Sequence, residues 1–219
     1  LVSAAISLKN AFAEIGALYE KRAGVRVRLN LGASGLLQKQ IESGAPVDVF
    51  ASAAVGPMDV LGSKGLLYPE TRRNFARNAL VLVVPAGSGT RIRSFQDLGR
   101  SGPGRIGIGN PKTVPAGTYA RELLGNLKLW DGLQPRLVLA ENVRQVLDYV
   151  ARGETEAGIV YRSDLSVASG RVVAAAFAPQ DMHSPILYPI CVLKETANRR
   201  EAQGFIDLVC GKEGQRILK

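Results

Sequence analysis

"RIGIGNPKTVPAGTYARELL", residues Arg105–Leu124, reads as a strand, a loop and a helix in immediate succession. The apolar run "RIGIGN" is the strand, and the loop behind it turns into a helix at Val114, Pro115, Ala116 and Gly117. None of those four residues carries a charge or a side-chain donor. A strand that feeds a helix is the building block of a parallel, helix-covered sheet.

The same succession repeats on either side. Residues 1–5 are the tail of a strand, followed by Ser7 and a helix with apolar Leu8, Phe12, Ile15 and Tyr19 on one stripe. "GVRVRLNL" (Gly24–Leu31) alternates as a half-buried strand does, and the next helix runs from Ser34 to Ser43. "VDVFAS" (Val47–Ser52) is a strand followed by a helix through Met58 and Leu61. Beyond it "NALVLVVPAG" (78–87) is a long β-branched run, and "SFQDLG" (94–99) a short helix with Ser94 as N-cap. "RLVLA" (136–140) leads into a helix over Asn142–Arg152. Three strands follow, at 156–161, 171–177 and 187–193, and a helical region over 199–218 breaks near Gly211. The chain is therefore α/β, with mostly parallel sheets flanked by helices.

A length of 219 residues suffices for two lobes with separate cores. No Gly/Ser linker separates them, so strands would cross directly from one to the other, as in a hinge. No apolar stretch reaches the ~18–20 residues of a membrane span. The chain opens inside a strand, which reads as a mature or trimmed N-terminus. The net charge of +9 permits nucleic-acid, membrane-surface or small-anion binding. Its basic residues come at most as pairs, such as Arg72-Arg73 and Arg199-Arg200, with no aromatic interleaving. That distribution favours a diffuse field that draws small anions over a nucleic-acid face.

Cys191 and Cys210 exclude a disulfide scaffold and a four-cysteine zinc site; buried free thiols and one structural bridge both remain open. Four helix starts carry small hydroxyl residues or bare backbone: Ser7, Ser34, Thr113-Val114 and Asn142-Val143. Parallel sheets gather such starts at the carboxyl ends of their strands, where open N–H groups and the helix dipole favour an anion. Plain capping explains any one of them alone, since Ser and Asn are preferred caps in any helix.

The segments "SAAISLKNAF", "GASGLLQKQIESGAPVDVFASA", "NPKTVPAGTYARELL", "AENVRQVLDYV" and "GIVYRSD", in this order and spacing, resemble the periplasmic molybdate-binding proteins of bacterial ABC importers. The resemblance covers nearly the whole chain, and "GAPVDVFASA" and "VPAGTYA" are its most specific pieces. It implies a two-lobed type II periplasmic binding protein with its ligand cleft between the lobes. Lobe I would span 1–79 with 193–219 returning to it, and lobe II 80–192, the return crossing lying somewhere between Tyr161 and Leu193. It further implies an anion held by the hydroxyls and N–H groups of Ser7 and Ser34, the N–H groups of Ala116 and Val143, and the Tyr161 phenol. No cofactor and no metal cation would take part, molybdenum entering only within the oxyanion. The implied ligands are molybdate and tungstate and the implied partner is a membrane permease. The protein would be a monomer, not an enzyme and not a nucleic-acid binder, periplasmic or anchored outside the cytoplasm. The loop "GASGL" departs from serine-richer relatives and leaves Ser34 as its one hydroxyl. Two alternatives are a binding protein for another tetrahedral oxyanion, such as sulfate, and an enzyme or regulatory domain on the same scaffold.

Other residues attract blander readings. Asp48 is expected to brace backbone beside the site or hinge. His183, the only histidine, is expected in a solvated loop, and Trp130 in packing.

Overall fold

The computed structural model describes residues 1–100, 104–168 and 170–219. In chain order its first elements are β1 (Val2–Ala5), α1 (Lys9–Ala23), β2 (Leu29–Gly32), α2 (Ser34–Glu42), β3 (Val49–Ala51), α3 (Val55–Ser63) and β4 (Arg73–Arg77). Next come β5 (Leu80–Pro85), β6 (Ile106–Gly109), α4 (Pro115–Asn126), α5 (Trp130–Leu133), β7 (Leu137–Ala140), α6 (Val143–Ala151), β8 (Ala157–Tyr161) and β9 (Val172–Phe177). The chain ends with β10 (Leu187–Val192), α7 (Arg199–Cys210) and α8 (Lys212–Ile217).

Two compact units result, Leu1–Arg77 with Leu187–Lys219, and Asn78–Ile186. Each holds one five-stranded mixed sheet, in the orders β2-β1-β3-β10-β4 and β7-β6-β8-β5-β9. In the first, β1 lies parallel to β2 and β3, and β10 runs against both β3 and β4. In the second, β6 lies parallel to β7 and β8, and β5 runs against β8 and β9. Parallel strand–helix units thus build three strands of each sheet, and one reversed strand joins a fourth.

The boundary differs from the expected one. Residues 187–192, assigned above to the second lobe, pair as β10 with β3 and β4 of the first unit, so the return crossing precedes Leu187. Strand β4 was not anticipated either: "RNFAR" turns only Phe75 fully inward, and its arginines face solvent along a sheet edge.

Apolar burial fixes both units. In the first, Phe12 of α1 is fully buried and its ring meets Phe75 of β4 at 5.8 Å and Phe205 of α7 at 5.7 Å. This is the stripe read from Leu8, Phe12 and Ile15. In the second, Leu80–Val83 of β5 are buried throughout beneath α6, whose Val146 and Val150 are equally enclosed.

Cys191 and Cys210 are both free thiols. Cys191 is buried against Thr71 Oγ1 and the Tyr68 carbonyl, whereas Cys210 is exposed on α7 rather than buried.

Candidate functional site

In the first unit the parallel pairing sets Ala5 beside Gly32 and Ala4 beside Ala51, so the carboxyl ends of β1, β2 and β3 share one sheet edge. Ser7 and Ser34 each follow such an end by two residues. Neither occupies the N-cap expected for it. A short 3-10 turn, Ile6–Leu8, carries Ser7 and leaves Leu8 as the cap of α1; Ala33 caps α2, with Ser34 its first helical residue. Neither cap makes a side-chain bond, which removes plain capping as the reason for these hydroxyls.

Their actual partners are tertiary. Ser34 is fully buried and its Oγ accepts the Ala53 N–H at 3.0 Å. A serine oxygen occupied as an acceptor keeps its one proton to give away. The loop that supplies this N–H is closed by Ser52, which donates to the Ala54 carbonyl at 2.6 Å and accepts the Ala54 N–H at 3.2 Å. Ser7, half-buried, lies 3.1 Å from the Tyr188 phenol oxygen.

In the second unit the ends of β6, β7 and β8 likewise share one edge. After β6 the chain tightens through Thr113 and Val114 N–H bonds to the Asn110 carbonyl, at 3.1 and 2.8 Å. Val114 caps α4 with backbone alone and Pro115, which has no N–H, is its first residue. The N–H groups of Gly117 and Thr118 turn back to the Val114 carbonyl at 2.9 and 3.1 Å. The Ala116 N–H, on a fully buried residue, has no partner among the described residues. Gly117 has a steric reason: a Cβ there would lie 1.9 Å from the Gly109 carbonyl oxygen, so only glycine lets the helix start abut the strand end.

Helix α6 is capped by Asn142, whose Oδ1 accepts the Gln145 N–H at 3.0 Å, while Gln145 Oε1 accepts the Glu141 N–H at 2.7 Å. This reciprocal pair fixes the helix start. Val143 is buried, and its N–H has no partner among the described residues. Buried N–H groups without partners are rare in folded chains. Two of them at one sheet edge form a donor set suited to an oxyanion. At that same edge β8 ends in Tyr161, which is buried.

A family model, "bacterial extracellular solute-binding protein", matches residues 1–219. The chain belongs to the bacterial extracellular solute-binding proteins. It is 38% identical to the molybdate-binding protein ModA of Escherichia coli, over 100% of this chain and 86% of that protein. It is also 38% identical to a putative ABC transporter substrate-binding lipoprotein, YvgL, of Bacillus subtilis, over 100% and 83%. The substrate-binding domain of a putative molybdenum ABC transporter from Clostridium difficile superposes with a TM-score of 0.75 at 39% identity, covering 99% of this chain and 94% of that one. The fold is that of the type II periplasmic binding proteins.

This solute-binding protein also holds a charged pair that the sequence reading passed over. Asp164 is fully buried, its carboxylate 2.8 Å from Arg144 Nε and accepting the Tyr161 N–H at 3.1 Å. Burial pushes its carboxyl up to about 6, against the pull of Arg144. The pair ties the residue after Val143 to the turn after Tyr161. "NVRQ" and "YRSD" both carry it in plain sight, but residues twenty positions apart give no local sign of contact. The rise of Asp164 shows that burial outweighs pairing here, so the bridge acts as a positional constraint more than as a source of stability.

Asp48 is corrected in place. It precedes β3 and so lies at the sheet edge opposite Ser7 and Ser34, where Thr196 Oγ1 and Asn198 Nδ2 donate to it. It braces the approach to α7, away from the donor cluster. His183 is corrected too: it is 8% exposed, with Nδ1 2.9 Å from the Ser184 carbonyl and its ring against Tyr119 of α4. Glu122 and Asn126 of α4 hold the same segment, which buries a histidine expected in solvent. Trp130 packs beneath the Arg121 guanidinium at 5.6 Å. Among the described residues, no group of three or more His, Cys, Asp and Glu is arranged to hold a metal ion, and no helix is long and apolar enough to cross a membrane.

Proposed function

We propose that this chain is the molybdate-capturing component of a bacterial ABC importer, that it takes tungstate equally, and that it performs no catalysis. The observation that carries the reading is the pair of buried, unpartnered N–H groups of Ala116 and Val143. The names of the relatives point to the same ligand. In this reading Ser7 and Ser34 of one unit, and Ala116, Val143 and Tyr161 of the other, serve one anion. Binding then favours the closed state, because only that state engages all five donors. The protein acts outside the cytoplasm as a monomer and delivers its ligand to a membrane permease.

Hydrogen-bond polarity sets the specificity. Molybdate at neutral pH carries no proton, so every group facing it must donate. Phosphate often keeps a proton and wants an acceptor, and a buried donor set leaves that proton unpaired. Sulfate has no proton either, but its shorter bonds stretch every contact in a fixed cage. Calorimetric titration tests this directly: molybdate and tungstate give heat, sulfate and phosphate none. An equal response to sulfate would move the assignment to another tetrahedral oxyanion.

A further inference from the structure

We propose that the sheet edge of the second unit opposite the Ala116 and Val143 N–H groups is a docking surface for membranes of anionic phospholipid. The inference goes beyond the molybdate reading and stands without it. Strands β6, β7 and β8 start level with one another, Ile106 lying beside both Leu137 and Ala157. Arg105 and Arg136 immediately precede two of these starts, whereas Ala116 and Val143 follow strand ends. Arg136 Nη1 donates to the Leu98 carbonyl at 3.0 Å and so draws the segment of Arg91, Arg93 and Arg100 to the same edge. Arg171 joins it, because it precedes β9 where Val172 pairs with Pro85, beyond the start of β8. Helix α6 starts at the donor edge and ends here at Arg152. Lys128 follows α4 beside Leu129, whose side chain lies 2.9 Å from where a Cβ on Gly99 would sit.

The positive charge of the unit is gathered there. Asn78–Ile186 holds twelve basic and nine acidic residues. Eight of the basic ones lie at this edge against four acidic, Asp97, Asp131, Glu154 and Glu156. The rest of the unit, with four basic and five acidic, has no positive excess. The diffuse field expected from the sequence is therefore polarised in this unit, and away from the donors. Four residues of β6 at about 3.3 Å each put ~13 Å between the two edges, more than the ~8 Å over which physiological salt screens a charge. Two of these guanidiniums are held without being neutralised. Arg93 Nη1 donates to the Thr90 and Ile92 carbonyls at 2.8 Å each, and Arg136 Nε to the Gly104 carbonyl at 3.2 Å. A carbonyl fixes a cation and leaves its charge to act outward. The charges come from loops, strand starts and helix ends, not from one helix or ribbon that a nucleic-acid groove admits. A lipid surface needs no such matching element, since its mobile phosphates gather beneath any basic pattern. Val173, 48% exposed beside Arg171 on the outermost strand, adds an aliphatic contact.

Flotation of the parent chain with vesicles tests this, using phosphatidylcholine alone and phosphatidylcholine with about one-third phosphatidylglycerol. The parent should bind the mixed vesicles and ignore the neutral ones. It should be released when salt rises from about 0.01 M to about 1 M, as the screening length falls from ~30 to ~3 Å. A basic residue near an anionic surface contributes about fivefold in binding. The triple variant Arg91→Gln, Arg105→Gln and Arg171→Gln should therefore bind roughly 100-fold more weakly. Lys112→Gln, Arg121→Gln and Arg162→Gln together, with the same net charge, should stay within about threefold of the parent. Equal losses in the two variants overturn the proposal, as does a parent that does not bind the mixed vesicles. Binding to neutral vesicles, binding that survives high salt, or tighter binding to a short DNA duplex at matched salt overturns it too. Thermal melting checks folding. If the first variant melts out, Arg105→Glu alone should weaken vesicle binding about 25-fold and Lys112→Glu less than about twofold; equal effects overturn the proposal. Molybdate calorimetry on the parent is read separately, so a chain that binds vesicles but gives no heat with the anion loses the oxyanion reading and keeps this one.

Discussion

Replacing Gly117 by alanine tests whether the contact between β6 and α4 is what places the Ala116 donor. The added Cβ would sit 1.9 Å from the Gly109 carbonyl oxygen and 2.5 Å from its carbon. An ordinary C···O contact is about 3.3 Å, so strand end and helix start must part by roughly 1.4 Å. Both partners are backbone, and no rotamer change can absorb the strain. Overpacking of this kind costs about 1–3 kcal/mol, offset by about 0.4–1 kcal/mol from a stiffer unfolded chain. The net loss should lower the melting temperature by a few degrees. Binding should suffer more. A shift of about 1 Å carries the neighbouring N–H beyond bonding range, and one bond to a charged group is worth about 1.5–3 kcal/mol, or roughly 10- to 150-fold in molybdate affinity. Gly125 in the same helix is the control, because a Cβ there meets nothing within 4 Å. Gly125→Ala should leave affinity unchanged and melt no lower than the parent. Calorimetry and thermal melting on the two variants give the comparison. Parental affinity in Gly117→Ala would refute the claim that this close approach positions the donor.

Two further outcomes follow from the same geometry. Ser34→Ala should lose both its bond to the anion and the acceptor of the buried Ala53 N–H, so affinity falls at least ~10-fold and stability by about 1–3 kcal/mol; unchanged affinity in calorimetry would remove Ser34 from the donor set. Asp164, pushed up to about 6 from an ordinary 3.8, favours its neutral form in the fold. Its contribution to stability is therefore full below pH ~4 and is lost as pH rises through ~6. The urea stability of the parent minus that of Asp164→Asn should fall by about 2–3 kcal/mol over that window and level off above pH ~7, whereas a rise would show that Arg144 outweighs burial.

The strand–helix alternation was legible because it is local. The stripe of Leu8, Phe12 and Ile15 and the apolar run of β5 can be read without knowing their neighbours. What escaped depended on partners far along the chain. "GVRVRLNL" alternates along its whole length, and Val25 and Val27 are indeed half-buried, but ladder pairing with β1 begins only at Leu29. Alternation reports which way side chains face; it does not report where a neighbouring strand starts. "LYPICV" suits either sheet, and only its pairing with β3 and β4 decides for the first unit. Ser7 and Ser34 were placed at helix starts but given the wrong local task, since capping preference cannot foresee an acceptor bond from Ala53 or a phenol from β10. The signal for Gly117 was present in "VPAG", where a glycine inside the first helical turn has no local use.

In the proposed site, neutral donors would let a chain of net charge +9 discriminate among dianions instead of merely attracting them. Long-range attraction depends on charge and is blind to bond length. Arg144 stands directly after Val143 and would be the obvious counter-ion, yet its Nε lies 2.8 Å from the fully buried carboxylate of Asp164. That contact turns the Nε side of the guanidinium toward Asp164. A long flexible cation could follow an anion of any size, since its head swings on several rotatable bonds. Backbone N–H groups cannot. Ala116 is fixed by the abutment of Gly117 on Gly109, Val143 by the Asn142–Gln145 cap, and Ser34 by the Ala53 bond. Donors held in this way cannot move inward to meet a smaller oxyanion, so a difference of a few tenths of an ångström in its bonds is felt at every contact together. In the proposed site, rigidity at each donor, more than their number, would separate molybdate from sulfate in a positively charged protein.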